Sequence, residues 1–195
     1  MILPYQKFEL LLQNTTLDFK RYLFENIAWN SRLIGIMGPR GVGKTTLILQ
    51  YIKEHLDTKK ALYISADDLY FSDHQILDLA DEFYKNEGEY LFIDEIHKYP
   101  DWAKVLKNMY DSFPQLKIVF TGSSVLDILK GSADLSRRAI IYQLNGLSFR
   151  EYLNLFHQYK IEPFTLNQII NNEVKLPNIT HPLPLFKDYL KNFST

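Results

Sequence analysis

A chain of 195 residues, 46% hydrophobic and 23% charged, is long and apolar enough for one packed core with a small appendage. Its formal net charge of −1 gives no electrostatic case for nucleic acid or an anionic lipid surface, and the absence of cysteine excludes disulfides, thiolate metal sites and a thiol nucleophile. No basic segment followed by an apolar stretch opens the chain and no run approaches the ~18 apolar residues that span a bilayer, so a cytoplasmic protein without a membrane partner is expected.

Residues 4–31 read as helical. Phe8, Leu11 and Leu12, then Tyr22, Leu23 and Ile27, fall near one stripe broken around Asn14-Thr15-Thr16. These helices are expected to pack on the domain that follows. Arg32-Leu33-Ile34-Gly35-Ile36-Met37 is a short apolar run, a buried strand. It leads into Gly38-Pro39-Arg40-Gly41-Val42-Gly43-Lys44-Thr45, which fits G-x-x-x-x-G-K-[ST].

That spacing predicts a loop whose backbone N–H groups surround phosphate oxygens at a helix N-terminus, where the macrodipole also favours negative charge. Lys44 is expected to reach the β- and γ-phosphates and the Thr45 hydroxyl to hold Mg²⁺. The predicted nucleotide contacts are therefore Gly38, Pro39, Arg40, Gly41, Val42, Gly43, Lys44, Thr45 and Thr46. Arg40 occupies an unspecified position of the pattern, where solvent exposure is expected.

Leu47, Tyr51 and Ile52 continue at helical spacing, and Ala61-Leu62-Tyr63-Ile64-Ser65 reads as the next strand. Asp73 is placed to cap a helix over 74–86, with Gly88 expected in left-handed geometry just past its end. Tyr90-Leu91-Phe92-Ile93 is a further strand that runs directly into Asp94-Glu95. Beside a phosphate loop, Asp94 is expected to orient Mg²⁺ and Glu95 to polarise the water that attacks the γ-phosphate. His97 completes an Asp-Glu-x-His string, for which a structural or supporting role is expected.

A helix is predicted from Ala103 to Phe113, closed by Pro114, then strands at Leu116–Phe120 and Ala139–Leu144. Fifty residues separate Lys44 from Asp94, room for one helix–strand–helix unit. Strands near 33, 62, 91, 118 and 141 with helices between them describe a mostly parallel five-stranded sheet covered on both faces. At the end of the fourth, Thr121 or Ser123 is placed to sense the γ-phosphate by hydrogen bonding. Arg137 or Arg138, just before the fifth, is a candidate to neutralise transition-state charge in its own site or in a neighbour's.

From Leu147 the pattern changes. Phe149, Tyr152, Leu153 and Phe156 form an amphipathic stripe, followed by irregular text bearing Pro163, Pro177, Pro182 and Pro184. The expected divisions are a helical segment at 1–31, a phosphate-loop domain at 32–156, and a linker with the start of a further domain at 157–195.

Taken together, GPRGVGKTT, LFIDEIHKYPDW, IVFTGSS and LSRRAIIYQLNGLSFREYL resemble the prokaryotic AAA-type ATPases that carry a C-terminal domain of poorly understood function. His181 to Leu190 resembles the junction into that domain. The resemblance implies an α/β P-loop NTPase fold, a three-layer sandwich with an additional strand between the loop strand and the acidic strand. It implies Mg-ATP as ligand, roles for Lys44, Thr45, Asp94 and Glu95 as argued above, and Arg137 or Arg138 as an arginine finger in a homo-oligomer. A protein or DNA partner would be engaged through the C-terminal domain, most of which this chain does not include.

ATP is expected rather than GTP because no N/T-K-x-D string appears. ATP hydrolysis leads, with a nucleotide-dependent switch as the alternative. A helicase lacks its second motor domain, and a small-molecule kinase is disfavoured by the adjacent Asp94-Glu95 pair.

Overall fold

The five apolar runs all become strands: β1 (Leu33–Met37), β2 (Ala61–Ser65), β3 (Tyr90–Asp94), β4 (Lys117–Gly122) and β5 (Ile140–Gln143). The structure is a computed structural model that describes residues 4–123, 135, 137–174, 179 and 182–193. Ser124, Ser136, Pro177 and His181 of the sequence motifs lie outside the described residues.

The strands form one sheet in the order β2-β3-β4-β1-β5, parallel throughout. Every residue of β1 and β3 is buried. Side chains alternate faces along a strand, so burial at every position requires cover on both faces. β5 is an edge strand, with Ile140 exposed. The strand that lies between β1 and β3 in space is β4, whereas β2, which lies between them in sequence, takes the far edge. Parallel register brings Met37, Ser65, Asp94, Gly122 and Gln143 to one end of the sheet.

Among the described residues four helices accompany the sheet: α1 (Pro4–Asn14), α2 (Lys44–His55), α3 (Ile76–Lys85) and α4 (Trp102–Ser112). The N-terminal segment makes one α-helix rather than two. Beyond α1, residues 15–31 hold only a 3-10 turn at Phe24–Asn26. Their backbone finds other partners: Gln50 Nε2 donates to the Thr16 and Phe19 carbonyls at 2.9 and 2.8 Å, and Lys53 Nζ to Leu12 and Thr15 at 3.0 and 2.7 Å. With carbonyls satisfied by α2 side chains, a second helix is not required to bury this strap. Its apolar residues still reach the core, where Trp29 stacks on Tyr51 at 3.9 Å.

The start and end of α3 also differ from expectation. Residues Leu69–Ser72 form a 3-10 turn that Asp73 terminates, so α3 begins at Ile76 without a side-chain cap. At its other end Glu87, not Gly88, takes the left-handed conformation (φ 62°), and Gly88 N–H bonds to the Phe83 carbonyl at 2.9 Å. This is a Schellman closure. Gly88 serves close packing instead, because a Cβ there would lie 2.4 Å from the Phe83 ring.

The chain divides into two compact units, Met1–Asn145 and Gly146–Thr195. The second contains α5 (Phe149–His157), α6 (Leu166–Ile170) and α7 (Pro182–Phe193). Capping boxes open two of them, Ser148 with Glu151 and Thr165 with Gln168. Its core is small: Tyr152, Leu153 and Ile161 are buried, with half-exposed rings such as Tyr189 and Phe193 against them. Among the described residues no helix is long and apolar enough to cross a membrane.

Candidate functional site

The loop between β1 and α2 has the conformation its glycines permit. Gly41 and Gly43 have φ of 83° and 94°, which strain any residue with a side chain, and a Cβ on Gly38 would meet the Leu144 carbonyl oxygen at 2.1 Å. Lys44 opens α2 with its side chain buried, and its ammonium donates to the Gly38 and Pro39 carbonyls at 2.8 and 2.9 Å. Arg40 and Thr46 are exposed and line the adjoining cleft of about 680 Å³, a volume suited to a small ligand.

Asp94 ends β3 almost fully buried. Three hydroxyls satisfy its carboxylate: Thr45 Oγ1 donates to Oδ2 at 2.5 Å, Tyr63 to the same oxygen at 2.8 Å, and Thr121 Oγ1 to Oδ1. Tyr63's own pKa is pushed far above the usual phenol range, first by burial and then by the Asp94 charge, so it remains a donor at any physiological pH.

Glu95 follows in the left-handed region (φ 52°, ψ 40°), costing a non-glycine residue on the order of 1 kcal/mol. Successive residues of a regular strand face opposite sides of the sheet. The left-handed turn breaks that alternation, and the Asp94 and Glu95 carboxylates line one cleft. The Glu95 N–H donates to Thr121 Oγ1 at 2.9 Å, which holds the turn. Glu95 Oε1 lies 3.8 Å from Lys44 Nζ and Oε2 lies 3.5 Å from His97 Nε2.

Thr121 and Ser123, equivalent in the sequence, are separated by the fold. Thr121 is fully buried and uses its hydroxyl on Asp94 and on the Glu95 backbone. Ser123 is exposed, lines the cleft and meets His97 Nε2 at 3.2 Å.

Arg137 and Arg138 stand at the other end of the sheet. Ile140 pairs with Ile34 at the start of β1, whereas the loop leaves from its end. Arg138 pairs with Asp111 at 3.5 Å and Arg137 is exposed. Neither reaches the cleft of its own chain.

Two contributors give no signal in the sequence. Tyr63 is one of several apolar-run residues of β2. Arg21 is one of two adjacent cations in the strap, beside Lys20, yet it is buried and donates to the Val42 carbonyl of the loop and, at 2.8 Å, to the Asn145 carbonyl.

Among the described residues no group of three or more His, Cys, Asp or Glu could hold a metal. Thr45 and Asp94 instead offer adjacent oxygen donors, which suit a hard cation that keeps water and phosphate oxygens as its other ligands. They fit Mg²⁺ in that limited sense.

A glycine loop between a parallel strand and a helix, facing an acidic strand end across one cleft, defines an α/β P-loop nucleotide-binding protein. Comparison with known proteins places it more narrowly. The model of a family described as AAA domain matches residues 30–153, and the chain belongs to that family. An uncharacterized protein of Methanocaldococcus jannaschii, MJ1637, is 37% identical over 152 residues, 73% of this chain and 32% of the relative. The chain thus spans about a third of that relative's length.

Among solved structures, S. cerevisiae Hsp104 in its casein complex is similar at TM-score 0.54 and 20% identity, over 77% of this chain and 31% of that one. C. elegans PCH-2 aligns at 0.49 and 19%, over 91% and 48%. At such identities the Hsp104 likeness shows the fold alone, an AAA-type P-loop ATPase core.

Proposed function

We propose that this chain binds Mg-ATP in the cleft and hydrolyses it to ADP and phosphate. The observation that carries the proposal is the placement of the Glu95 carboxylate, turned out of strand alternation to stand 3.8 Å from Lys44 Nζ beside the buried Asp94. Lys44, already held over the loop by two carbonyls, offers its charge to the β- and γ-phosphates. Glu95 accepts the proton of the attacking water as its oxygen bonds to the γ-phosphorus and the β–γ bridge breaks. Thr45 and Asp94 would hold Mg²⁺, which when bound offsets charge on the phosphate oxygens. Three hydroxyls already donate to the Asp94 carboxylate and hold it in place.

Arg137 and Arg138 lie at the end of the sheet away from the cleft, so an arginine-finger role for either requires a neighbouring copy in a homo-oligomer. Turnover by the isolated chain is then expected to rise with protein concentration.

The test compares the parent with Glu95→Gln. Turnover is expected to fall 10²–10⁴-fold, the size of a general-base contribution, while ATP binding persists. Unchanged turnover removes Glu95 as the base. Binding is read by thermal shift: ATP at 100 times its Kd stabilises by about 2.7 kcal/mol, roughly 5–10 °C for a chain of this size, and Lys44→Ala abolishes the shift. A parent that binds without measurable turnover would favour the switch reading.

A further inference from the structure

His97 sits in the 3-10 turn Ile96–Lys98 that follows the acidic strand end. Its Nε2 lies 3.2 Å from Ser123 Oγ and 3.5 Å from Glu95 Oε2. Its Nδ1 is buried and has no hydrogen-bond partner among the described residues. A proton on Nδ1 would bury an N–H with no acceptor, a more costly defect than an unused acceptor. The pattern therefore assigns the neutral tautomer with its proton on Nε2.

That one N–H faces two acceptors. Both contacts fall on the same ring nitrogen, so the trio is not a nucleophilic triad, where acid and hydroxyl take opposite nitrogens. Ser123 accepts through its oxygen and keeps its own proton to donate into the cleft. Glu95 Oε2 lies within 3.5 Å of the same ring nitrogen, near enough for a small shift to make a hydrogen bond, while Oε1 faces Lys44.

We propose that His97 is a positioning residue, which orients the Glu95 carboxylate and links it to the cleft-facing hydroxyl of Ser123. The inference rests on Glu95 acting as the base. A phosphate oxygen that engages Ser123 would then alter the share of the imidazole N–H available to Glu95, joining recognition of the terminal phosphate to activation of water. Lys44, held by two loop carbonyls, is spared any such adjustment.

The geometry predicts which substitutes work. The amide nitrogen of glutamine falls near the place of Nε2, whereas that of asparagine falls near Nδ1, which has no partner to serve. Steady-state ATP hydrolysis by the whole chain is measured for His97→Gln, His97→Asn and His97→Ala, with the melting temperature of each. Expected is a loss of kcat on the order of 10–100-fold in His97→Ala and His97→Asn, as for a displaced catalytic group, with KM for ATP unchanged and most activity kept by His97→Gln. In a Glu95→Gln background, His97→Ala should add no further loss.

Parental kcat in His97→Ala, a rise in KM that accounts for the loss, or equal loss in the Gln and Asn variants overturns the proposal. Should His97→Ala not fold, the Gln–Asn pair decides alone. If Glu95→Gln itself leaves turnover intact, the hydrolytic reading fails first. If Glu95→Gln abolishes turnover and the His97 variants match the parent, only the positioning role is lost.

Discussion

The unit ending at Asn145 and the one beginning at Gly146 are built by different means. In the first, whole strands are out of water, and Phe92, Phe120, Ile34 and Leu62 are fully buried in one continuous core. In the second, three apolar residues are buried among the described ones, and the remainder is held by ring-to-ring contacts, capping boxes and reciprocal bonds such as the Asn154–Ile161 pair at 3.0 and 2.9 Å. Burial of apolar area scales with core size, whereas single polar contacts add about 1 kcal/mol each. Left-handed non-glycine residues occur in both units, Glu95 in the first and Gln158 and Asn172 in the second, but the first has the larger buried core to hold its own. The second has little stability to spare.

The sharpest way to break that contrast is Phe92→Ala, which removes a fully buried ring from the middle of β3. A loss of about 3–5 kcal/mol is expected, read as a large fall in the denaturation midpoint of the first unit together with loss of ATP binding. Arg21→Ala tests the seam between strap and loop. The charged hydrogen bonds to the Val42 and Asn145 carbonyls disappear, for a cost of about 3 kcal/mol, and KM for ATP should rise because the Val42 end of the loop loses its anchor. An unchanged KM would show that Arg21 serves stability only.

Leu153→Ala probes the second unit, where about 2 kcal/mol is expected, the low end for such a truncation because so few buried neighbours are left to lose contact. The contrast holds if a local unfolding event is sensitised, by hydrogen exchange, while ATP hydrolysis stays at the parental rate. It collapses if Leu153→Ala disturbs the first unit as strongly as Phe92→Ala does.

The smallest effect belongs to Lys7→Ala. Lys7 Nζ meets Asp68 at 2.6 Å across α1 and the turn after β2, and this bond, ahead of the Tyr70 backbone, lowers the Asp68 pKa. A depressed carboxylate pKa stabilises the fold above the unfolded-state value, and that stabilisation is lost as pH falls through the folded-state value. The partners are partly exposed, so less than ~1 kcal/mol is at stake. Lys7→Ala should narrow the gap between neutral and acidic melting temperatures slightly.

Much of the first unit was legible in the amino-acid order. The five strands read as apolar runs because parallel strands covered on both faces tolerate few polar residues, and the glycine–lysine–threonine spacing survives any reasonable packing because it is a local backbone requirement. The strap was misread for the same kind of reason. Leu23 and Ile27 repeat at helical spacing, but Gln50 and Lys53, distant in sequence, take the carbonyls that a helix would have used.

Sequence alone thus determined the phosphate loop, the acidic strand end and the class of fold, all of which depend on neighbours along the chain. Only the tertiary structure decided that Thr121 braces Asp94 while Ser123 faces the cleft, that Arg21 and Tyr63 belong to the site, and that Arg138 stands at the opposite end of the sheet. Those roles arise from strand order and register, which bring together residues as far apart as Arg21 and Asn145. No local pattern encodes such a meeting.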